Sequence, residues 1–148
     1  MDDWKFKYSV YTKAQRNDAW NYWTNVENHA EMESGVKSIE LDGPFASGMT
    51  GRTITSDYTQ EWELTEVVEK ERWVITGHTP DGTGKLSFAW EFEDEGSGTR
   101  MTQRITANET LVKQHPEEIQ IIEENAPAAM SKLAAELDRL ANEQWDKN

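Results

Sequence analysis

The chain has 148 residues, with 15 Lys+Arg against 28 Asp+Glu for a formal net charge of −13, 36 % hydrophobic residues and no cysteine. At roughly 100–200 residues per domain it reads as a single domain over residues 1–148, long enough to bury a core without disulfides or a structural metal. The lack of cysteine excludes a thiol nucleophile and thiolate metal sites, the acidic field without a basic cluster excludes nucleic acid as a partner, and the absence of an export-type N-terminus or of about 18 consecutive apolar residues predicts a cytoplasmic protein with no membrane span.

Trp4, Phe6, Tyr8 and Val10 alternate with Lys5, Lys7, Ser9 and Tyr11, which predicts a strand from Trp4 to Thr12 with one buried face. Asn17-Asp18 is a capping-type pair, and Ala19, Trp20, Trp23 and Val26 then fall at helical spacing, so Asn17–Val26 reads as a short helix. Glu27–Glu33 reads as a second short helix or turn before Gly35. Val36–Leu41 and Gly51–Ser56 are predicted strands, parted by the turn formers Gly43-Pro44-Phe45-Ala46-Ser47-Gly48. Four more predicted strands follow, Tyr58–Val68, Arg72–Thr79, Lys85–Phe92 and Thr99–Ala107. Their breaks, Glu69-Lys70-Glu71, Pro80 to Gly84 and Asp94 to Gly98, are short enough for antiparallel hairpins.

Beyond Pro116 the period becomes helical: Ile119, Ile122, Ala126, Met130, Leu133, Leu137 and Leu140 recur at steps of three and four. Pro127 sits inside this stripe. Its missing N–H and its ring clash predict a kink or a fresh helix start there, with Asn125 as cap, and the polar tail after Leu140 is expected to fray. The fold class expected is α+β, a seven-stranded curved antiparallel sheet around a long C-terminal helix, with two short helices after strand one. A strongly curved sheet and one straight helix cannot touch everywhere, which predicts a cavity between them.

The three histidines, His29, His78 and His115, form neither an HExxH motif nor an i, i+4 pair, and they read as surface residues, with no metal or cofactor implied. Gly96-Ser97-Gly98 reads as a hairpin turn, and the carboxylate pairs Glu61/Glu63 and Glu91/Glu93 as solvated faces. The aromatic content, seven Trp, four Tyr and four Phe, is the unusual feature. Strand alternation puts Tyr8, Trp62, Trp73, Phe88 and Trp90 on the inner face with Met101 and Gln103, and Met130 lies on the helix stripe that faces them. These side chains either fill a core or line a pocket for a flat, apolar ligand; indole and phenol donors need partners when buried, so a concave face rich in them points toward water or ligand inside.

The run Asn17 to Asn28 (NDAWNYWTNVEN) resembles the first-helix motif of the SRPBCC superfamily, the START-like helix-grip group. Gly35-Val36, Leu41-Asp42-Gly43-Pro44-Phe45, Gly48 and Gly51-Arg52 resemble its polyketide cyclase/dehydratase-like branch, as do Leu64-Thr65-Glu66-Val67 and Gly98-Thr99-Arg100-Met101-Thr102. The resemblance runs in order over essentially the whole chain. It implies a helix-grip fold with an internal cavity, and members of the superfamily variously bind lipids, hormones or polyketides, act as cyclases or assist chaperones. In relatives of this branch, histidines occupy the strand positions matching Trp90 and Gln103, so an acid–base role there does not carry over. The leading expectation is binding or carriage of a small hydrophobic or aromatic metabolite. The alternatives are a cyclase/dehydratase-type enzyme acting in the same cavity and a protein-interaction module resembling the Hsp90-activator relatives, and no catalytic residue is assigned.

Overall fold

The computed structural model describes residues 3–32, 36–57, 59–79 and 81–145, so the features expected at Glu33, Gly35, Tyr58 and Pro80 lie outside the described residues. In chain order the elements are β1 (Trp4–Thr12), α1 (Arg16–Trp23), α2 (Val26–Met32), β2 (Val36–Leu41), β3 (Thr50–Thr55), β4 (Thr59–Val68), β5 (Arg72–His78), β6 (Lys85–Glu95), β7 (Gly98–Ala107), α3 (Glu109–Gln114) and α4 (Pro116–Leu140). The seven strands form one sheet in the order β1-β7-β6-β5-β4-β3-β2, and every neighbouring pair is antiparallel. Hairpin-length connections dictate the run from β2 to β7, and β1 then closes on the free edge of β7. The expected curved sheet with a long terminal helix and two short helices is therefore present.

Register turns the alternation of each strand into rows that cross the sheet. Trp73, Trp90, Gln103 and Tyr8 are successive partners on β5, β6, β7 and β1. Ile75, Phe88, Ile105 and Phe6 form the next row on the same face, and Phe92, Met101 and Val10 the row on its other side. The opposite face carries hydroxyls and charges, including the linked side chains of Thr65, Thr76 and Ser87 at 3.0–3.1 Å. It also carries the Arg104–Glu91 and Arg72–Glu66 ion pairs.

The helices depart from expectation in three places, each for a tertiary reason. Helix α1 begins at Arg16 with Gln15 as its N-cap and no side-chain cap bond, so Asn17 and Asp18 lie inside the first turn rather than capping it. What fixes the entry is the buried Ala14, whose carbonyl accepts the Thr99 hydroxyl at 2.8 Å. Helix α3 was not expected. Asn108 creates it by accepting from the Leu111 N–H at 3.1 Å while also accepting from the Lys85 N–H at 3.0 Å and donating to the Thr83 carbonyl at 2.8 Å.

The third departure is Pro127. Helix α4 runs unbroken for 25 residues through it, with no restart and no cap at Asn125. The proline withholds one N–H from the Glu123 carbonyl, and no residue from 120 to 129 is buried, so water can satisfy that oxygen. After Leu140 the tail does not end at once: Ala141–Trp145 form a π-helical turn, and Arg139 bridges Glu136 and Glu143 at 2.7 Å.

The core gathers where α1 and the second half of α4 meet the concave face. Met130, Leu133, Ala134 and Leu137 of α4 pack with Trp20, Trp23, Leu64, Phe92 and Met101. Asp138 fastens this packing, accepting from the Thr12 hydroxyl at 2.8 Å and the Lys13 N–H at 2.7 Å. A smaller cluster of Ala107, Leu111 and Ile119 holds α3 and the start of α4 to the far end of the sheet. Among the described residues no helix is long and apolar enough to cross a membrane.

Candidate functional site

A cavity of about 60 Å³ lies between α2, the 43–48 loop and strands β2 to β6. Its floor is aromatic and aliphatic, with Trp62, Trp73, Ile75, Phe88 and Trp90; Ile39 and Thr53 form one side, and Phe45, Val26 and His29 close it from above. The expectation of a cavity against the C-terminal helix is corrected here, because none of the lining residues belongs to α4. The sheet is wide enough for two covers: α4 lies along β1 at one edge, and α2 packs on β2 toward the other. The space forms under the second.

The wall is ordered by ring contacts. Trp73 and Trp90, direct partners across β5 and β6, stack with centroids 4.2 Å apart, and Phe88 stacks on Trp90 at 6.0 Å. Phe45 meets Trp73 edge-on at 5.0 Å. Its loop is pinned to β4 by Gly48 N–H to the Leu64 carbonyl at 2.7 Å and by Val67 N–H to the Ser47 hydroxyl at 2.8 Å. Trp62 donates its indole N–H to the Thr53 hydroxyl at 3.0 Å. Its ring lies so close to β3 that a Cβ on Gly51 would stand 2.6 Å from it, so residue 51 must be glycine for the ring to lie flat.

His29 is the residue the sequence reading placed wrongly. It is 5 % exposed, stacked on Trp23 at 3.5 Å and edge-on to Trp73 and Trp90 at 5.0 and 5.5 Å. Its Nε2–H donates to the Trp23 carbonyl at 2.7 Å; a carbonyl only accepts, so the neutral tautomer carries its proton on Nε2. Burial pushes its pKa from 6.5 down to about 3. The signal that could have found it is spacing, since Trp20, Trp23, Val26 and His29 continue one stripe in steps of three. His78, by contrast, is exposed as expected.

Of the eight side chains singled out from sequence, Trp62, Trp73, Phe88 and Trp90 line the cavity. Tyr8 and Gln103 stand in the row of Trp90 but outside the lining, Gln103 buried and Tyr8 half-buried. Met101 of β7 and Met130 of α4 are buried in the core between the sheet and that helix and are not among the lining residues. Val26, His29, Ile39, Phe45, Thr53 and Ile75 complete the lining without having been anticipated. Four buried side-chain polar atoms have no hydrogen-bond partner among the described residues: the indole nitrogens of Trp23, Trp73 and Trp90, and Oε1 of Gln103.

A volume of about 60 Å³ holds roughly two waters, against the 150 Å³ that admits a benzene ring. An aromatic guest therefore requires the cover to lift. The seven-residue α2 is the part of the cover able to do so, since the Phe45 loop is hydrogen-bonded to β4 and the floor is fixed in the sheet.

The family model for polyketide cyclase / dehydrase and lipid transport matches residues 3–143. The Zhui aromatase/cyclase from Streptomyces sp. R1128 superposes with a TM-score of 0.73 at 13 % identity, covering 94 % of this chain and 96 % of that one. TTHA0849 from Thermus thermophilus gives 0.69 at 18 %, covering 95 % and 99 %, and Ara h 8.0201 gives 0.69 at 13 %, covering 91 % and 97 %. No curated protein matches in sequence. At such identities the superpositions establish a shared fold.

Proposed function

The chain belongs to the polyketide cyclase / dehydrase and lipid transport family, within the SRPBCC superfamily, and from that premise we propose that residues 1–148 act as one ligand-binding domain that carries a small hydrophobic or aromatic molecule in the α2-covered cavity. The observation that carries this reading is the wall itself: four aromatic rings from adjacent strands, Trp62, Trp73, Phe88 and Trp90, that line one side of a single cavity. Carriage is preferred to catalysis on a magnitude. Among the lining residues His29 is the one that titrates, and in the closed cavity burial pushes its pKa down to about 3, which makes it too weak a base there to take a proton near neutral pH.

The test is titration with the neutral naphthalene probe prodan, read by quenching of tryptophan fluorescence. Saturable quenching is expected, and Trp90→Ala should weaken binding by about 1–3 kcal/mol through lost apolar contact. Absence of saturation would remove the pocket reading. Recovery of a polyketide-like chain in cyclised or dehydrated form after incubation, where a carrier returns it unchanged, would replace carriage with catalysis.

A further inference from the structure

The two terminal strands of the sheet are finished differently. β2 is six residues long, carries a register break between Val36 and Ser38, and is packed by α2. β1 runs nine residues in unbroken register with β7, without a bulge or a proline. In an antiparallel ladder every second residue of an outer strand turns its N–H and C=O away from the sheet. Among the described residues no backbone group from Trp4 to Tyr11 makes a hydrogen bond other than those to β7. Burial drops across this one strand: Ala107, Ile105, Gln103 and Met101 of β7 are buried, whereas their partners Trp4, Phe6, Tyr8 and Val10 are half-buried. The inner apolar row, with Trp4 and Phe6 stacked at 5.9 Å, therefore ends on an open flank.

The same strand is basic in an acidic chain. The stretch from Trp4 to Ala14 holds Lys5, Lys7 and Lys13 and no carboxylate, although the chain carries −13. All three lysines are exposed, and none is in an ion pair among the described residues, while Arg52, Arg72, Arg100, Arg104 and Arg139 each hold a carboxylate. Lys5 and Lys7 share the outer face, where their β7 partners are Thr106 and Arg104. The carboxylates near the two ends of the strand are engaged, Asp3 with the Glu109 N–H at 3.3 Å and Asp138 with the Thr12 hydroxyl and the Lys13 N–H. Lysine on an edge strand guards against unwanted pairing, and a guard of one sign leaves the edge open to a strand of the other. With a Debye length of about 8 Å at physiological salt, the nearest charges outweigh the distant carboxylates in what approaches this edge.

We propose that the free edge of β1 docks an extended acidic segment of a partner protein, which alternates carboxylate with apolar residues and joins the seven-stranded sheet as a further strand. Its carboxylates stand beside Lys5 and Lys7 on the outer face, and its apolar side chains cover the flanks of Trp4, Phe6 and Tyr8 on the inner one. A second copy fits less well, since each copy brings −13 and its own β1 brings lysines rather than carboxylates. No residue of β1 lines the α2-covered cavity, so docking and carriage can each fail without the other.

The probe is an end-blocked eight-residue peptide alternating glutamate with valine, titrated into the nitrogen-15-labelled protein. Saturable amide shifts centred on β1 are expected, with slowed hydrogen exchange at every second amide between Trp4 and Tyr11. The same residues in block order, four glutamates and then four valines, cannot sort onto two faces and should bind at least roughly ten-fold more weakly. Lys5→Glu with Lys7→Glu should weaken the alternating peptide by roughly ten-fold, two attractive cross-strand pairs having turned repulsive. A peptide alternating lysine with valine should leave the β1 amides unprotected.

An alternating acidic peptide that does not saturate, shifts that fall away from β1, a block-ordered peptide that binds equally, or β1 amides protected as well by the lysine peptide each overturn the proposal. Protection of those amides on concentrating the protein alone would overturn it in favour of a second copy. The peptide series is read on the unaltered protein, so it decides the matter even where the double variant fails to fold.

Discussion

At the residue scale His29 makes stability depend on pH. Its folded pKa is about 3 and its unfolded value 6.5, so below 6.5 the unfolded chain binds a proton that the folded one refuses. Its stabilising effect is whole above pH 6.5 and is lost progressively as the pH falls toward 3. At about 1.4 kcal/mol per pH unit, the loss between pH 6.5 and pH 5 is about 2 kcal/mol. Urea unfolding at pH 7 and pH 5 should show this loss in the parent protein, and His29→Leu should remove that part of the difference. An unchanged difference in the variant would mean that His29 is protonated when folded. The same residue marks the limit of what the sequence discloses about the site. Trp62, Trp73, Phe88 and Trp90 were legible because a strand has only two faces, and alternation chooses between them. His29 and Phe45 were not, since what places them is the packing of a seven-residue helix and a Gly/Pro loop against a sheet built from distant segments.

At the scale of elements, α4 tolerates its proline because the segment around it faces water, but tolerance is not neutrality. Pro127→Ala restores one helical hydrogen bond and relieves a ring clash, and should stabilise the protein by about 1–3 kcal/mol, seen as a higher urea midpoint with the slope unchanged. No rise in midpoint would show that the helix has already absorbed the defect. Asp138 is the opposite case. It holds the Thr12 hydroxyl and the Lys13 N–H, the first of them fully buried, so Asp138→Ala should cost about 1–3 kcal/mol and loosen α4 from β1 in hydrogen exchange. Strand identity and sheet order were readable because hairpin-length breaks leave few topologies and the residue pattern chooses the inner face. Helix limits were less so. The cap at Asn108 works through Lys85 and Thr83, residues on another strand and its preceding turn, and the start of α1 is set by Ala14 and Thr99, so neither is a local property of the sequence.

For the whole molecule, 28 carboxylates against 15 cations leave an excess that the surface ion pairs, such as Arg52 with Asp42 and Arg100 with Glu95, do not cancel. Self-repulsion should therefore weaken the fold at low ionic strength. Raising salt from about 10 to about 150 mM shortens the Debye length from about 30 to about 8 Å and should raise Tm, by about 2–4 °C for each kcal/mol relieved. A Tm that falls with salt would mean that the ion pairs outweigh the excess. The pairing of β1 with β7 has a further effect. Ser9 and Thr102, bonded at 2.8 Å, are 93 residues apart, and α4 rests on the same first strand. β1 thus waits for β7 and α4, which follow it far along the chain, and closing so long a loop is slow. Until that closure β7 keeps one edge unpaired and Phe92 and Met101 lack the α4 side chains that cover them, which leaves an open strand edge beside apolar surface where a second chain could pair.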